Sequence, residues 1–169
     1  MLVIDYPQVT ADERTMLEQF LDFHRAGVVR TLDEVTDEQA AARVLPATDL
    51  TVGGLVKHLA AIEDLWFSHK LLDAPSAEPW RSAPFDQDPD WEFHSAAENS
   101  VVELRQLYLD ACEASRRITA RVESLDVLAA RGSFGDQLVS LRWIYLHMIE
   151  ETAQHRGHLD LLLDALRQK

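Results

Sequence analysis

Residues 146–160 read LHMIEETAQHRGHLD. They lie inside a long amphipathic pattern that Ser140 can cap and that runs to about Leu166. Set around a helix at about 100° per residue, Leu141, Ile144, Met148, Leu159, Leu162 and Leu166 gather in one sector. His155 falls near the middle of that sector, and Glu151 lies about 40° to one side of it. His158 lies further to the same side, and His147 further still. A helix that buries this face turns an imidazole and a carboxylate inward, where Leu or Met would be ordinary.

Three more long helical patterns precede it, with no convincing strand. Thr10 and Glu13 form a capping-box pattern, followed by Leu17, Phe20, Leu21, His24, Val28 and Leu32 at helical spacing. Thr36 and Gln39 open a short helix that Pro46 closes off. A second long helix spans about Thr51 to Leu72, with Leu55, His58, Leu59, Ile62, Leu65 and Trp66 on its stripe. Ser100 and Glu103 cap a third, running to about Ser124. Between the second and third lies a long loop, 73–94, rich in Pro and Asp. A loop of that length in a compact domain is usually functional or wraps the surface. Trp80, Phe85 and Trp91 argue that it packs down. The pattern reads as an all-α four-helix bundle filling a single domain, 1–169.

Sixteen basic residues against 29 acidic ones give a formal charge of −13, which disfavours nucleic acid and anionic membranes as partners. One cysteine, Cys112, cannot form an internal disulfide and fits the cytoplasm. The start, MLVIDYPQVTADERT, has no basic leader region, and no stretch is apolar enough to span a membrane. No Gly-rich phosphate loop occurs.

The inward polar residues carry the chemistry. Glu151 and His155 stand four apart, one turn from each other on one face, near enough to reach a single ion. His58 falls in the apolar sector of the second long helix. Two imidazoles and a carboxylate from two facing helices suit a divalent metal such as zinc, iron or nickel, with open positions for water or substrate. The opposing reading makes His58 a satisfied core histidine and Glu151–His155 a solvated pair. His24 reads as a core histidine or a further ligand, His69 as a helix-end residue and His94 as an exposed one. Glu63 and Glu150 read as solvated face residues, Arg156 as surface charge, and Cys112 as a small buried side chain.

Four segments carry a resemblance: FLDFHRAGVVRTLDEVTDEQAAARVLP, LTVGGLVKHLAAIEDLWF, DPDWEF and VSLRWIYLHMIEETAQHRGHLDLLLDAL. Across nearly its whole length the chain resembles the DinB/YfiT-like superfamily of metal-binding four-helix bundles. It is most similar to an actinobacterial, mycothiol-transferase-like branch. The resemblance implies that His58, Glu151 and His155 are metal ligands. Many members have His at the middle position; the His, Glu, His set is that of the mycothiol-dependent maleylpyruvate isomerase branch. It also implies a mycothiol-like thiol as cosubstrate, an electrophile as second substrate, and a homodimer. Lys57, Arg142 and Arg156 are the basic groups considered for the thiol. The expected activity is a metal-dependent thiol S-transfer. A metal-hydroxide hydrolase and a non-catalytic metal-binding stress protein are the alternatives.

Overall fold

Helix α1 (Glu13–Thr31) begins at Asp12, whose carboxylate accepts from the Thr15 N–H at 3.1 Å. The expected Thr10–Glu13 box is therefore not the cap. The Glu13 carboxylate instead accepts from Arg142, 129 residues away. The Thr36–Gln39 box opens α2 (Asp37–Ala41) and the Ser100–Glu103 box opens α5 (Val101–Thr119), both with the two reciprocal bonds formed. Ser140 caps α6 (Leu141–Arg167) through the Trp143 N–H. The computed structural model describes residues 6–133 and 135–168. The first five residues, part of the reading of the chain's start, lie outside them.

The second long helix is α3 (Val52–Glu63), capped by Thr51. It runs on into a π-helical stretch, Asp64–Lys70, that the sequence pattern does not signal. Helix α5 stops at Thr119, short of Ser124, where Arg14 of α1 reaches across and donates to the carbonyls of Thr119 and Val122. The long loop packs down as expected and carries a short helix, α4 (Trp91–His94), followed by a 3-10 turn, Ser95–Glu98. Among the described residues no extended strand occurs; an isolated antiparallel bridge joins Leu128 to Ser140.

Helix α1 lies along α6, α3 lies along α5, and α3 also packs on α6, giving an all-helical bundle. Its interior is divided. One apolar cluster joins Val28, Leu32, Leu55, Leu59, Tyr108, Leu159 and Leu162. A second joins Leu21, Phe67, Leu71, Leu141, Ile144 and Met148. Between them each long helix turns polar: Arg25 on α1, Glu63 on α3, Ser115 on α5, and Glu151, Thr152 and His155 on α6. The polar residues of the opening stretch thus sit at the waist of the bundle, with hydrophobic packing holding the helices on either side.

Glu63, expected on a solvated face, is 1% exposed and accepts from Arg25 through both oxygens, at 2.7 and 2.5 Å. The reason is that α3 is the central helix. Nearly all of Val52–Ala60 is buried, so it has no wet face to offer and its charged residues must find partners inside.

Candidate metal centre

The waist brings the three sequence candidates together. Nε2 of His58 lies 3.2 Å from Oε1 of Glu151, and Nε2 of His155 lies 3.1 Å from the same oxygen. One ligand atom from each residue lies within 4.8 Å of the others. The side chains are 16%, 19% and 15% exposed, so the cluster is largely screened but can be reached from outside. The i, i+4 spacing on α6 supplies two donors, and the packing of α3 on α6 brings the third.

What orients His58 is a residue the sequence reading passed over. Glu92, on α4, places Oε1 2.9 Å from Nδ1 of His58. Its carboxylate accepts the Nδ1 proton and leaves Nε2 facing Glu151. Phe93, the next residue, stacks on the His58 ring at 4.7 Å between centroids. The ring is thus held by a hydrogen bond on its edge and an aromatic on its face. A carboxylate behind a histidine is the usual way of fixing the tautomer and orientation of a metal-binding imidazole. DPDWEF holds this residue, but only tertiary packing places it against His58. On the other imidazole of the cluster, Nδ1 of His155 lies 3.3 Å from Nδ1 of His158. When His155 donates in that pair, its Nε2 lone pair is free.

The electrostatics agree with a site that attracts positive charge. Burial opposes a charge on His58, but hydrogen bonds to Glu151 and then Glu92 outweigh it and raise its pKa to about 9. Hydrogen bonds from His155 and His58 hold the Glu151 carboxyl well below the usual carboxylate range, against its burial. Two imidazole nitrogens and a carboxylate oxygen, converging from two helices and backed by Glu92, form a donor set that fits a divalent cation.

The other candidates do not join this group. His24 has its Nδ1 buried without a partner, and burial together with the nearby Arg156 keeps its pKa low. His147 stacks on Trp143 at 5.1 Å and meets the edge of Trp66. His69 bonds the Ala74 carbonyl, and exposed His94 pairs with Asp88. Lys57, considered for the thiol, is buried. It donates to Ser95 and Asn99 at 2.9 and 2.8 Å and lies over the Trp91 ring, so it anchors the α4 segment to α3. Arg142 is engaged by Glu13 and Asp126, and Arg156 lies over Phe23.

A family model described as Mycothiol-S-transferase matches residues 16–168. The chain belongs to the mycothiol S-transferase family. The match takes in the bundle from the second turn of α1 onward, including His58, Glu92, Glu151 and His155. No curated protein gives a match. No helix among the described residues is long and apolar enough to cross a membrane.

Proposed function

We propose that the protein is a divalent-metal-dependent thiol S-transferase, with His58, Glu151 and His155 as the ligands of the cation and a mycothiol-like thiol as cosubstrate. The observation that carries the reading is the convergence of those three donors within 4.8 Å at the waist of the bundle, in a chain of this family. A divalent cation bound there would lower the pKa of a thiol that ligates it, making thiolate available near neutral pH. The sulfur then forms a bond to an electrophilic carbon as the leaving group departs with its electron pair.

The chain's own residues have distinct tasks in this scheme. Glu92 holds the proton on Nδ1 of His58 and so keeps Nε2 as a donor atom. Glu151 contributes the negative charge, leaving a dication with two neutral imidazoles net positive toward an incoming sulfur. His158 sets the orientation of the His155 ring. Zinc suits the donor set first, with nickel and iron as the alternatives. A cytoplasmic homodimer belongs to the same reading, supported by the lone cysteine and by the exposed Leu146 and Leu161 of α6.

The test is elemental analysis of the purified protein, followed on the same sample by mycothiol with chlorodinitrobenzene. About one divalent ion per chain and thiol-dependent turnover are expected. Metal content should be lost in His58→Ala, Glu151→Ala and His155→Ala. Metal content unchanged in all three variants would remove the ligand assignment. Bound metal with no thiol-dependent turnover would remove the transferase activity and favour the hydrolase or the stress protein.

A further inference from the structure

Glu92 turns only one carboxylate oxygen toward His58. The other, Oε2, is buried with no hydrogen-bond partner. Asp64 repeats the pattern: Oδ1 accepts from the Ala77 N–H at 3.2 Å, while Oδ2 is buried and unpartnered. The two residues are 8% (Asp64) and 7% (Glu92) exposed. A buried carboxylate oxygen that lacks a donor costs free energy. Both residues line one cavity of about 310 Å³, beside Ile62, Ser76, Trp80 and Phe85. Asp64 also opens the π-helical stretch, a wide-turn conformation frequent at functional sites.

We propose that this cavity binds an organic ammonium group, a primary amine whose N–H groups complete Asp64 and Glu92 and whose carbon body lies against Trp80 and Phe85. The chemistry of the wall selects this class. The wall does hold donors, the Ser76 hydroxyl and the His69 ring, but its two buried carboxylates set the charge, so an anionic ligand group meets repulsion. An ammonium brings three donors and the charge that two carboxylates and aromatic faces favour. A neutral hydroxyl brings one donor and no charge. The cavity shares Glu92 with the metal centre but includes none of its three ligands. The inference requires neither metal nor thiol.

The test uses the full-length protein with benzylamine, benzyl alcohol and benzoate, by calorimetry and tryptophan fluorescence, with and without EDTA. Benzylamine is expected to bind with or without the chelator. Benzyl alcohol should bind at least about tenfold more weakly, and benzoate should not bind. Asp64→Asn keeps an acceptor for the Ala77 N–H but replaces the second oxygen with a donor. It should weaken benzylamine at least about tenfold. Ser76→Leu, changed in the loop and filling the cavity, should do the same with an unaltered helical circular dichroism spectrum. It decides the matter if Asp64→Asn does not fold. Four results would each overturn the proposal. The first is no benzylamine binding, which makes ordered water the partner of the two oxygens. The second is binding unaffected by a folded variant. The third is binding that vanishes with EDTA, which means metal ligation. The fourth is equal binding of the alcohol, which means the cavity reads shape alone.

Discussion

Oε1 of Glu92 lies 2.9 Å from Nδ1 of His58, across 34 residues of sequence, and this contact leaves Nε2 of His58 facing Glu151. Replacing Glu92 by Ala removes the hydrogen bond on Nδ1 and leaves the ring to the Phe93 stack and the Glu151 contact on Nε2, so nothing fixes its tautomer. Outer hydrogen-bond partners of metal-binding histidines typically contribute about 10–100-fold in metal affinity. Glu92→Ala should therefore bind the metal that much more weakly while keeping its helical content. Competition against a chromophoric chelator measures it. Unchanged affinity would mean that Glu92 packs against His58 without orienting it.

A second prediction concerns the Arg25–Glu63 pair, whose side chains are 5% and 1% exposed. Removing Glu63 leaves the buried Arg25 guanidinium with half-exposed Asp22 as its remaining carboxylate partner, and breaking a buried pair in this way costs about 3–5 kcal/mol. Glu63→Ala should lower stability by that amount. The double substitution Arg25→Met with Glu63→Leu should recover most of it, because hydrophobic groups of similar volume replace charges that need compensation. Urea denaturation of the three proteins decides this. A single variant that costs no more than the double one would show the two residues to be uncoupled.

How far the sequence was legible follows from the range of each signal. The caps at Thr36, Ser100 and Ser140 are local, and all three form. The convergence of His58, Glu151 and His155 was legible because i, i+4 spacing on one helix and an inward His on another survive any reasonable packing of the two. Glu92 and Glu63 were not legible. Both are glutamates with nothing unusual in their neighbours, and only the docking of α4 and α1 on α3 supplies their partners. Asp12 caps α1 in place of Thr10, and Glu13 pairs instead with Arg142, a contact with no local signature.

A third prediction separates thiol chemistry on a cosubstrate from chemistry on the chain's own thiol. Cys112 is 1% exposed, and burial, reinforced by nearby Glu63, pushes its thiol well above the usual range. It is a thiol, not a thiolate, at neutral pH, and so is a poor nucleophile. Native protein should resist iodoacetamide at pH 7.5 and react only when unfolded in guanidinium. Cys112→Ala should keep thiol-dependent turnover within about twofold, since tenfold would require about 1.4 kcal/mol of lost transition-state stabilisation. Rapid alkylation of the native protein with loss of turnover would give Cys112 a chemical role.

The last prediction follows from Asp22, which accepts from Arg25 at 2.9 Å and from Arg116 at 2.9 Å. Burial opposes its ionisation, but the hydrogen bond from Arg116 and the charges of both arginines prevail and hold its pKa below the ordinary carboxylate value. A carboxyl depressed in the folded state binds its proton more readily when unfolded. Its contribution is complete above the unfolded pKa, near about 4, and is lost as pH falls through the folded value. Asp22 is 43% exposed, so solvent screening limits that contribution to about 1 kcal/mol. Asp22→Asn should thus be less stable than the native protein at pH 7, and the gap should shrink toward pH 3. Urea midpoints at the two pH values measure it. A gap that stays constant would place the effect of Asp22 in packing and not in charge.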